Sequence, residues 1–344
     1  MPADLVTVTG ASGFIAKHVV LRLLNGGYRV RGTVRSGARG AEVAAAVLPH
    51  LSDPAGLDER LTFAELDLER DGGWPEAMAG AGALIHTASP FPLAQPRNED
   101  EVIRPAVDGT LRALRAAHEA GIGRVVLTSS IAAISYGELP PGKTVYDESD
   151  WTDPTGRSAT PYVKSKTLAE RAAWHFVETE APGLRLTAIN PGFVVGPPLD
   201  DRFGSSLSVV ERLLAGRDPA LPDVYFPTVD VRDVAAAHVL ALEKPESEGK
   251  RILMAAGTLS LVDMAKAVKA AAPGRRVTAR QAPDWLIRLI GLFDGGVAAI
   301  VADLGRPQNV SNELARKILG IDFIDPKDAV AASTRYLLEH GKTA

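Results

Sequence analysis

Short, largely apolar runs alternate with amphipathic stretches through the first half of the chain. The runs lie at 5–9, 29–34, 61–66, 83–87, 125–129 and 185–190 and favour Val, Ile, Leu and Thr. Runs of that kind suit strands covered on both faces, as in a parallel sheet. Between the first two, Ile15, Val19, Val20, Leu23 and Leu24 recur at helical spacing over 15–24. Strand–helix alternation predicts βαβ units and an α/β, doubly wound parallel sheet. After about residue 190 the pattern changes. Pro191-Gly192, Gly196-Pro197-Pro198 and the stretch 216–222 read as loops, and helical periodicity then dominates from Asp233 onward around one strand at 251–255. The chain therefore divides into a sheet domain over 1–190, rejoined by a segment near 225–245, and a smaller, mostly helical lobe over 191–344.

Composition narrows the function. At 344 residues the chain is long for one core, which agrees with two lobes. Net charge is −4 with no Lys/Arg run, which argues against nucleic acid or an anionic membrane as partner. There is no cysteine, so disulfides, thiol catalysis and Cys-ligated metals are excluded. The seven histidines are scattered without metal-ligand spacing, and no metal site is expected. No apolar run is long enough to span a bilayer and no signal pattern precedes the first strand, so the expected location is cytoplasmic.

The first strand runs into Thr9-Gly10-Ala11-Ser12-Gly13-Phe14-Ile15-Ala16. Gly10 permits a tight turn, Gly13 lets backbone approach a pyrophosphate, and Ala16 keeps the following helix close to the sheet. The helix N-terminus then offers N–H groups to phosphate, with Ser12, Phe14 and Ile15 beside it. The turn sits at a strand–helix junction, the context a Rossmann-type dinucleotide site requires. At the end of the second strand, where NAD-binding folds place an acid, the chain has Arg35, with Arg39 following. Arginine pairs a 2′-phosphate where an acid would repel it, so NADP(H) is the expected cofactor. For Arg39 the alternative is a solvent-facing residue at a helix start. Asp67 and Leu68, after the third strand, suit contact with the adenine; a local cap is the alternative for Asp67.

Tyr162 and Lys166 are four apart in a segment that Pro161 opens as a helix, so both face one side. A nearby ammonium stabilises a phenolate, lowers the phenol's proton affinity and makes the hydroxyl a competent acid or base. Upstream, Thr128-Ser129-Ser130 ends a strand at the edge where such sheets bind ligands, and Ser130 can hydrogen-bond a carbonyl oxygen. Phe91, Ile131, Tyr136, Phe193 and Phe226 fall in loops expected to face the crevice and give an apolar pocket. Any of them packing beneath a loop is the plain alternative. His86 reads either as a site residue or as a hydrogen-bonded structural histidine, and Asp233 as the cap of the helix that follows.

These landmarks, with Asn190-Pro191-Gly192 and Val231-Arg232-Asp233-Val234-Ala235, resemble those of the extended short-chain dehydrogenases/reductases, in order and in spacing. Gly-Phe-Ile-Ala in the turn, Thr-Val-Arg-Ser after the second strand, His86-Thr87-Ala88-Ser89-Pro90-Phe91 and the stretch 190–197 are similar to the dihydroflavonol 4-reductase branch and its aldehyde and ketone reductases. The resemblance implies a Ser130/Tyr162/Lys166 trio with NADPH, Tyr162 as acid and Lys166 on the nicotinamide ribose. It also implies that Pro191, Gly192 and Val194 flank the nicotinamide and that Thr87, Ala88, Ser89 and Thr128 line the cofactor path. The substrate would be a small molecule with a carbonyl or alcohol group, the protein a monomer or homodimer. Cinnamoyl-CoA reductases carry a Cys-Tyr pair that is absent here, which argues against a CoA thioester. A sterol or 3β-hydroxysteroid dehydrogenase, a nucleotide-sugar epimerase or dehydratase holding NAD, and a non-catalytic dinucleotide sensor remain the competing readings. Arg35 speaks against the epimerase, the intact Tyr/Lys pair against the sensor.

Overall fold

The structure, a computed structural model, describes residues 4–89, 98–156, 159–298 and 300–341. Seven parallel strands form the central sheet: β1 (Leu5–Thr9), β2 (Arg29–Val34), β3 (Leu61–Glu65), β4 (Ala83–His86), β5 (Arg124–Thr128), β6 (Arg185–Pro191) and, later in the chain, Lys250–Met254. Three short strands make a second sheet: β7 (Phe193–Val195), β8 (Tyr225–Asp230) and Gly257–Ser260. In chain order the last two strands of the molecule are thus β9 (Lys250–Met254) and β10 (Gly257–Ser260). The large sheet has the order β3-β2-β1-β4-β5-β6-β9 and the small one β10-β8-β7.

The apolar runs become strands because successive side chains serve opposite faces. Ile85 and Val126 join one core with the helices Phe14–Asn25 and Val231–Glu243. Their neighbours Leu84, Val125 and Leu127 join the other, beneath the helices Asp100–Glu119 and Pro161–Thr179. A third core packs the helices Ser205–Ala215, Leu261–Ala271 and Pro326–Glu339 around the small sheet. No helix among the described residues is long and apolar enough to cross a membrane.

One expectation changes. The sequence pattern assigns the strand at 251–255 to the smaller lobe, whereas β9 pairs in parallel with β6 and completes the central sheet. The Val231–Glu243 helix is the crossover that returns the chain to that sheet, and a single buried strand after a helix does not reveal which sheet it joins. The small sheet itself carries no period in sequence, because its strands are short and Pro227 interrupts the one between β7 and β10.

The edge strand β9 is covered rather than open. Glu148 Oε1 accepts the Leu253 N–H at 3.0 Å, and Arg251 binds the carbonyls of Glu148 and Asp150 at 3.0 and 2.6 Å. The passage between the two sheets is tight at Gly192, whose N–H donates to the Met254 carbonyl at 2.9 Å. A Cβ there would lie 2.2 Å from the Pro227 carbonyl oxygen. Gly192→Ala is therefore expected to force β6 and β8 apart and to cost about 2 kcal/mol; urea unfolding monitored by circular dichroism measures it, and unchanged stability would show that this crossing yields freely.

Candidate active site

All seven parallel strands end on one edge, and the order reverses between β1 and β4. A crevice opens at such a point. Thr9 closes its floor. Its carbonyl accepts the Thr87 hydroxyl at 2.5 Å, and its Oγ1 accepts the N–H groups of Thr87 and Ala88, both at 3.2 Å. Gly10 follows with φ +64°, and a Cβ on it would meet Ala88 at 2.9 Å. Thr33 steadies the turn from β2, taking the Gly10 N–H on its hydroxyl and the Ala11 N–H on its carbonyl. Gly13 is the exposed N-cap residue of the Phe14–Asn25 helix, which has no side-chain cap. Ser12 and Ile15 are half-buried beside it and Phe14 is buried.

Arg35 is exposed just beyond β2. Arg39 pairs with Glu42 on its own helix at 3.0 Å, and Arg202 reaches the same carboxylate at 3.1 Å. Glu65, at the end of β3, accepts the Gly37 N–H at 2.7 Å. Asp67 accepts the Glu69 N–H at 3.1 Å and so closes its own turn, while Leu68 packs near Gly109 of the Asp100–Glu119 helix. Asp67 thus has the local role that the sequence offers as its alternative, whereas Arg39 is paired with Glu42.

The Pro161–Thr179 helix begins where Thr160 accepts the Val163 N–H at 3.3 Å. It sets Lys166 Nζ 5.9 Å from the centre of the Tyr162 ring. Ser130 caps the short turn Ile131–Ala133 and hydrogen-bonds the Tyr162 hydroxyl. The structure thus brings Ser130, Tyr162 and Lys166 together at the end of β5. Their electrostatics depart from the sequence expectation. Burial holds the Tyr162 phenol above its ordinary value, and the Ser130 hydrogen bond only partly opposes it. Burial also brings Lys166 down to about 8, against the pull of Glu170. The phenol is therefore protonated at neutral pH and the amine still mostly an ammonium.

Behind them lies a buried polar cluster. Glu170 accepts from the Ser129 hydroxyl at 2.5 Å, from Asn190 Nδ2 at 2.7 Å, from Trp174 Nε1 at 3.2 Å and from Arg251 Nε at 2.6 Å. Asn190 Nδ2 also reaches the Ser130 carbonyl at 3.1 Å. The Arg251 guanidinium lies over the Trp151 ring, 3.6 Å from its centre. Neither Glu170 nor Arg251 was expected from sequence. The one signal for Glu170 is its place four residues after Lys166.

Two histidines flank the trio. The Thr128 hydroxyl lies 2.6 Å from His238 Nε2, and His238 Nδ1 lies 2.7 Å from the Val234 carbonyl. Only an N–H can bond that carbonyl, so Nδ1 carries the proton and Thr128 donates. His86 Nδ1 is 2.8 Å from Thr9 Oγ1. That oxygen already accepts two amides, so its own proton goes to Nδ1 and His86 is the Nε2–H tautomer. Its Nε2 is buried without a partner among the described residues. His86 is thus held as a structural histidine by Thr9, though one ring nitrogen is left over. Asp233 is not the helix cap. Asp230 takes that place by accepting the Arg232 N–H, and Asp233 holds the Ile324 N–H at 2.9 Å.

Among the residues expected to line the pocket, Tyr136 hydrogen-bonds Gln308 and lies near Tyr162 and Asp303, its phenol pushed up to about 12 mainly by burial. Asp303 and Gln308 carry no sequence signal. Ile131 packs inward with Ile134, Leu253 and Ala255. Phe193 and Phe226 pair at 4.8 Å between ring centres. Pro191 and Val194 are buried, Thr87 and Ser89 half-buried. Phe91 lies outside the described residues.

A model of the NAD dependent epimerase/dehydratase family matches residues 6–256. The chain is 33% identical to cinnamoyl-CoA reductase 1 of Petunia hybrida, over 98% of this chain and 93% of that one. It is 34% identical to the ketoreductase azaE of Aspergillus niger, over 98% of both. Among solved structures it superposes on Gre2 of Candida albicans in complex with NADPH with a TM-score of 0.80, at 28% identity, over 97% of this chain and 98% of the other. The chain belongs to this family, the extended short-chain dehydrogenases/reductases, and its resemblance to their reductase branch stands.

His18, His86 and His238 are held neutral by burial, at about 4, 3 and 4 respectively. A histidine whose folded value lies below its unfolded one contributes stability above the unfolded value and loses it as pH falls through the window beneath. Nitrogen NMR should therefore find these three unprotonated down to a pH of about 5, with His238 protonated on Nδ1 and His86 on Nε2. Titration of either flanking ring near the ordinary histidine value would refute the effect of burial, and the opposite nitrogen-shift pattern would refute the tautomer assignment.

Proposed function

We propose that the protein is an NADPH-dependent reductase that converts an aldehyde or ketone of a small molecule into the alcohol, with Ser130, Tyr162 and Lys166 as its reacting groups. The observation that carries the proposal is the hydrogen bond between Ser130 and a protonated Tyr162, set beside a glycine turn with no side-chain cap. The turn fits a dinucleotide. Gly10 packs on Ala88 so closely that no side chain fits, and the helix after Gly13 presents an open N-terminus for a pyrophosphate. Residues 1–190, with the returning segment near 225–245 and β9, would form the coenzyme half, and the rest the substrate lobe. Arg35, with Arg39 once it leaves Glu42, suits a 2′-phosphate.

When bound, the cofactor supplies the hydride. The chain's own groups handle position and proton. Ser130 and Tyr162 together hold the carbonyl oxygen. Tyr162 donates its proton to that oxygen as negative charge develops there. Lys166 keeps a positive charge near the phenol and steadies the tyrosinate left behind. Tyr136 and the paired Phe193 and Phe226 favour a substrate with an apolar or aromatic body. The relatives named as a ketoreductase and as a structure with NADPH support this reading.

Tyr162→Phe should lower carbonyl reduction by roughly 10²–10⁴-fold while leaving NADPH binding, followed by nicotinamide fluorescence, near wild type. Arg35→Ala should weaken NADPH by roughly tenfold or more and leave NADH almost unchanged. A panel of aromatic and aliphatic aldehydes, ketones and β-keto esters supplies the substrates. Turnover that survives in Tyr162→Phe would sink the trio, and equal loss of both cofactors in Arg35→Ala would sink the phosphate assignment.

A further inference from the structure

We propose that Glu170 is a positioning residue of the reduction: one buried carboxylate ties the Ser130 turn, the Tyr162–Lys166 helix and Arg251 of the sheet edge into a single unit, and sets both the placement of Ser130 and the charge of Lys166. The inference rests on the trio proposed above.

Glu170 lies one turn beyond Lys166 on the same helix, which faces it toward the same side. Its side chain is fully buried, and four donors surround it: Ser129, Asn190, Trp174 and Arg251. Two of these belong to the reacting wall. Ser129 precedes Ser130 directly, and Asn190 donates from one nitrogen both to Glu170 Oε2 at 2.7 Å and to the Ser130 carbonyl at 3.1 Å. The backbone of Ser130 is thereby fixed on both sides by groups that converge on one oxygen atom. Arg251 extends the unit. Its Nη2 reaches the Ala133 carbonyl at 3.2 Å, at the end of the turn that Ser130 caps, and its Nη1 holds two carbonyls of the loop carrying Trp151.

A purely structural ion pair would need none of the contacts to the 129–133 turn. A charged one also acts on its neighbours. The groups facing Lys166 are Tyr162 and Glu170 from its own helix and His86 from β4, with Ser130 beyond the phenol. Arg251 from β9 and Asn190 from β6 both bond Glu170. His86 is neutral, so Glu170 is the one anion among these groups. It opposes the burial that drives Lys166 toward the free amine. Loss of that charge shifts Lys166 toward the neutral form at the pH where Tyr162 must give up its proton.

The experiment compares wild type, Glu170→Gln and Arg251→Gln, with Glu170→Gln/Arg251→Met as the variant that removes both charges should the single changes unfold. Lys166 is titrated by NMR of protein labelled at the lysine ε-carbon, its signal assigned by disappearance in Lys166→Met. The pH profile of carbonyl reduction is recorded in parallel, with Tyr162→Phe as control. In Glu170→Gln, or in the double variant, the Lys166 midpoint should fall from about 8 by roughly one unit, and the alkaline limb of the activity should move down with it. Relative to wild type, activity should fall about tenfold at alkaline pH and only about twofold at neutral pH. Arg251→Gln, which keeps the carboxylate, should lower melting temperature without lowering the Lys166 midpoint. An unmoved Lys166 midpoint in both Glu170 variants overturns the inference, as does a loss of activity equal at every pH. Should Tyr162→Phe keep its activity, the trio itself fails, and the NMR midpoint still decides whether Glu170 sets the charge of Lys166.

Discussion

The gap between β1 and β4 is the constraint on which the site depends. On one side of it the crossovers carry the chain toward β3, on the other toward β9, so only here is the strand edge left without a covering connection. One hydroxyl spans the gap. Thr9 Oγ1 bonds the backbone of Thr87 and Ala88 and the ring of His86, which draws β4's exit loop against the glycine turn. That closeness leaves no room for a Cβ at Gly10. The same hydroxyl fixes the tautomer of His86, a ring that burial holds neutral near Lys166. The dinucleotide cradle and the electrostatic surroundings of the lysine therefore share one threonine, and neither can be altered there without the other.

A second constraint is the burial of charge at Glu170 and Arg251. Two ions removed from water rarely gain enough from each other to offset their desolvation, and an apolar pair of equal volume is often as stable. Here the carboxylate receives four donors and the guanidinium binds backbone carbonyls and stacks on Trp151, so few polar atoms go unmet. What the pair provides beyond stability is register. It locks the 129–133 turn, the loop at 146–152 and β9 to a helix that carries Tyr162 and Lys166. Apolar residues would fill the space but hold no particular rotation of the Ser130 peptide.

Much of this was legible in the chain because the relevant signals are local. The strands β1 to β6 stand within a residue or two of the apolar runs, since a strand buried on both faces must be apolar throughout. Tyr162 and Lys166 share a face because their spacing and Pro161 leave a helix little choice. The signals that failed are not local. Burial of Glu170 and Arg251 depends on partners 81 residues apart, and a charged residue on a helix reads as solvent-facing. The small sheet is built from strands of three, six and four residues, too short for a period to emerge. Asp230 and Asp233 both suit a cap, and only the tertiary pull of Ile324 separates them. Gln308 reaches Tyr136, and Asp303 lies near it, from a part of the chain far along the sequence where no local signal marks them.

The correction at Tyr162 has a chemical consequence. An exposed phenol beside an ammonium would be poised near neutrality and would serve as acid or base with little preference. This phenol is protonated more firmly than usual, since burial outweighs the serine hydrogen bond. In the proposed reaction it would enter as a donor, with negative charge developing on the carbonyl oxygen to draw the proton away. Burial thus favours Tyr162 as the proton donor, while at Lys166 the same burial works against the charge and Glu170 opposes it.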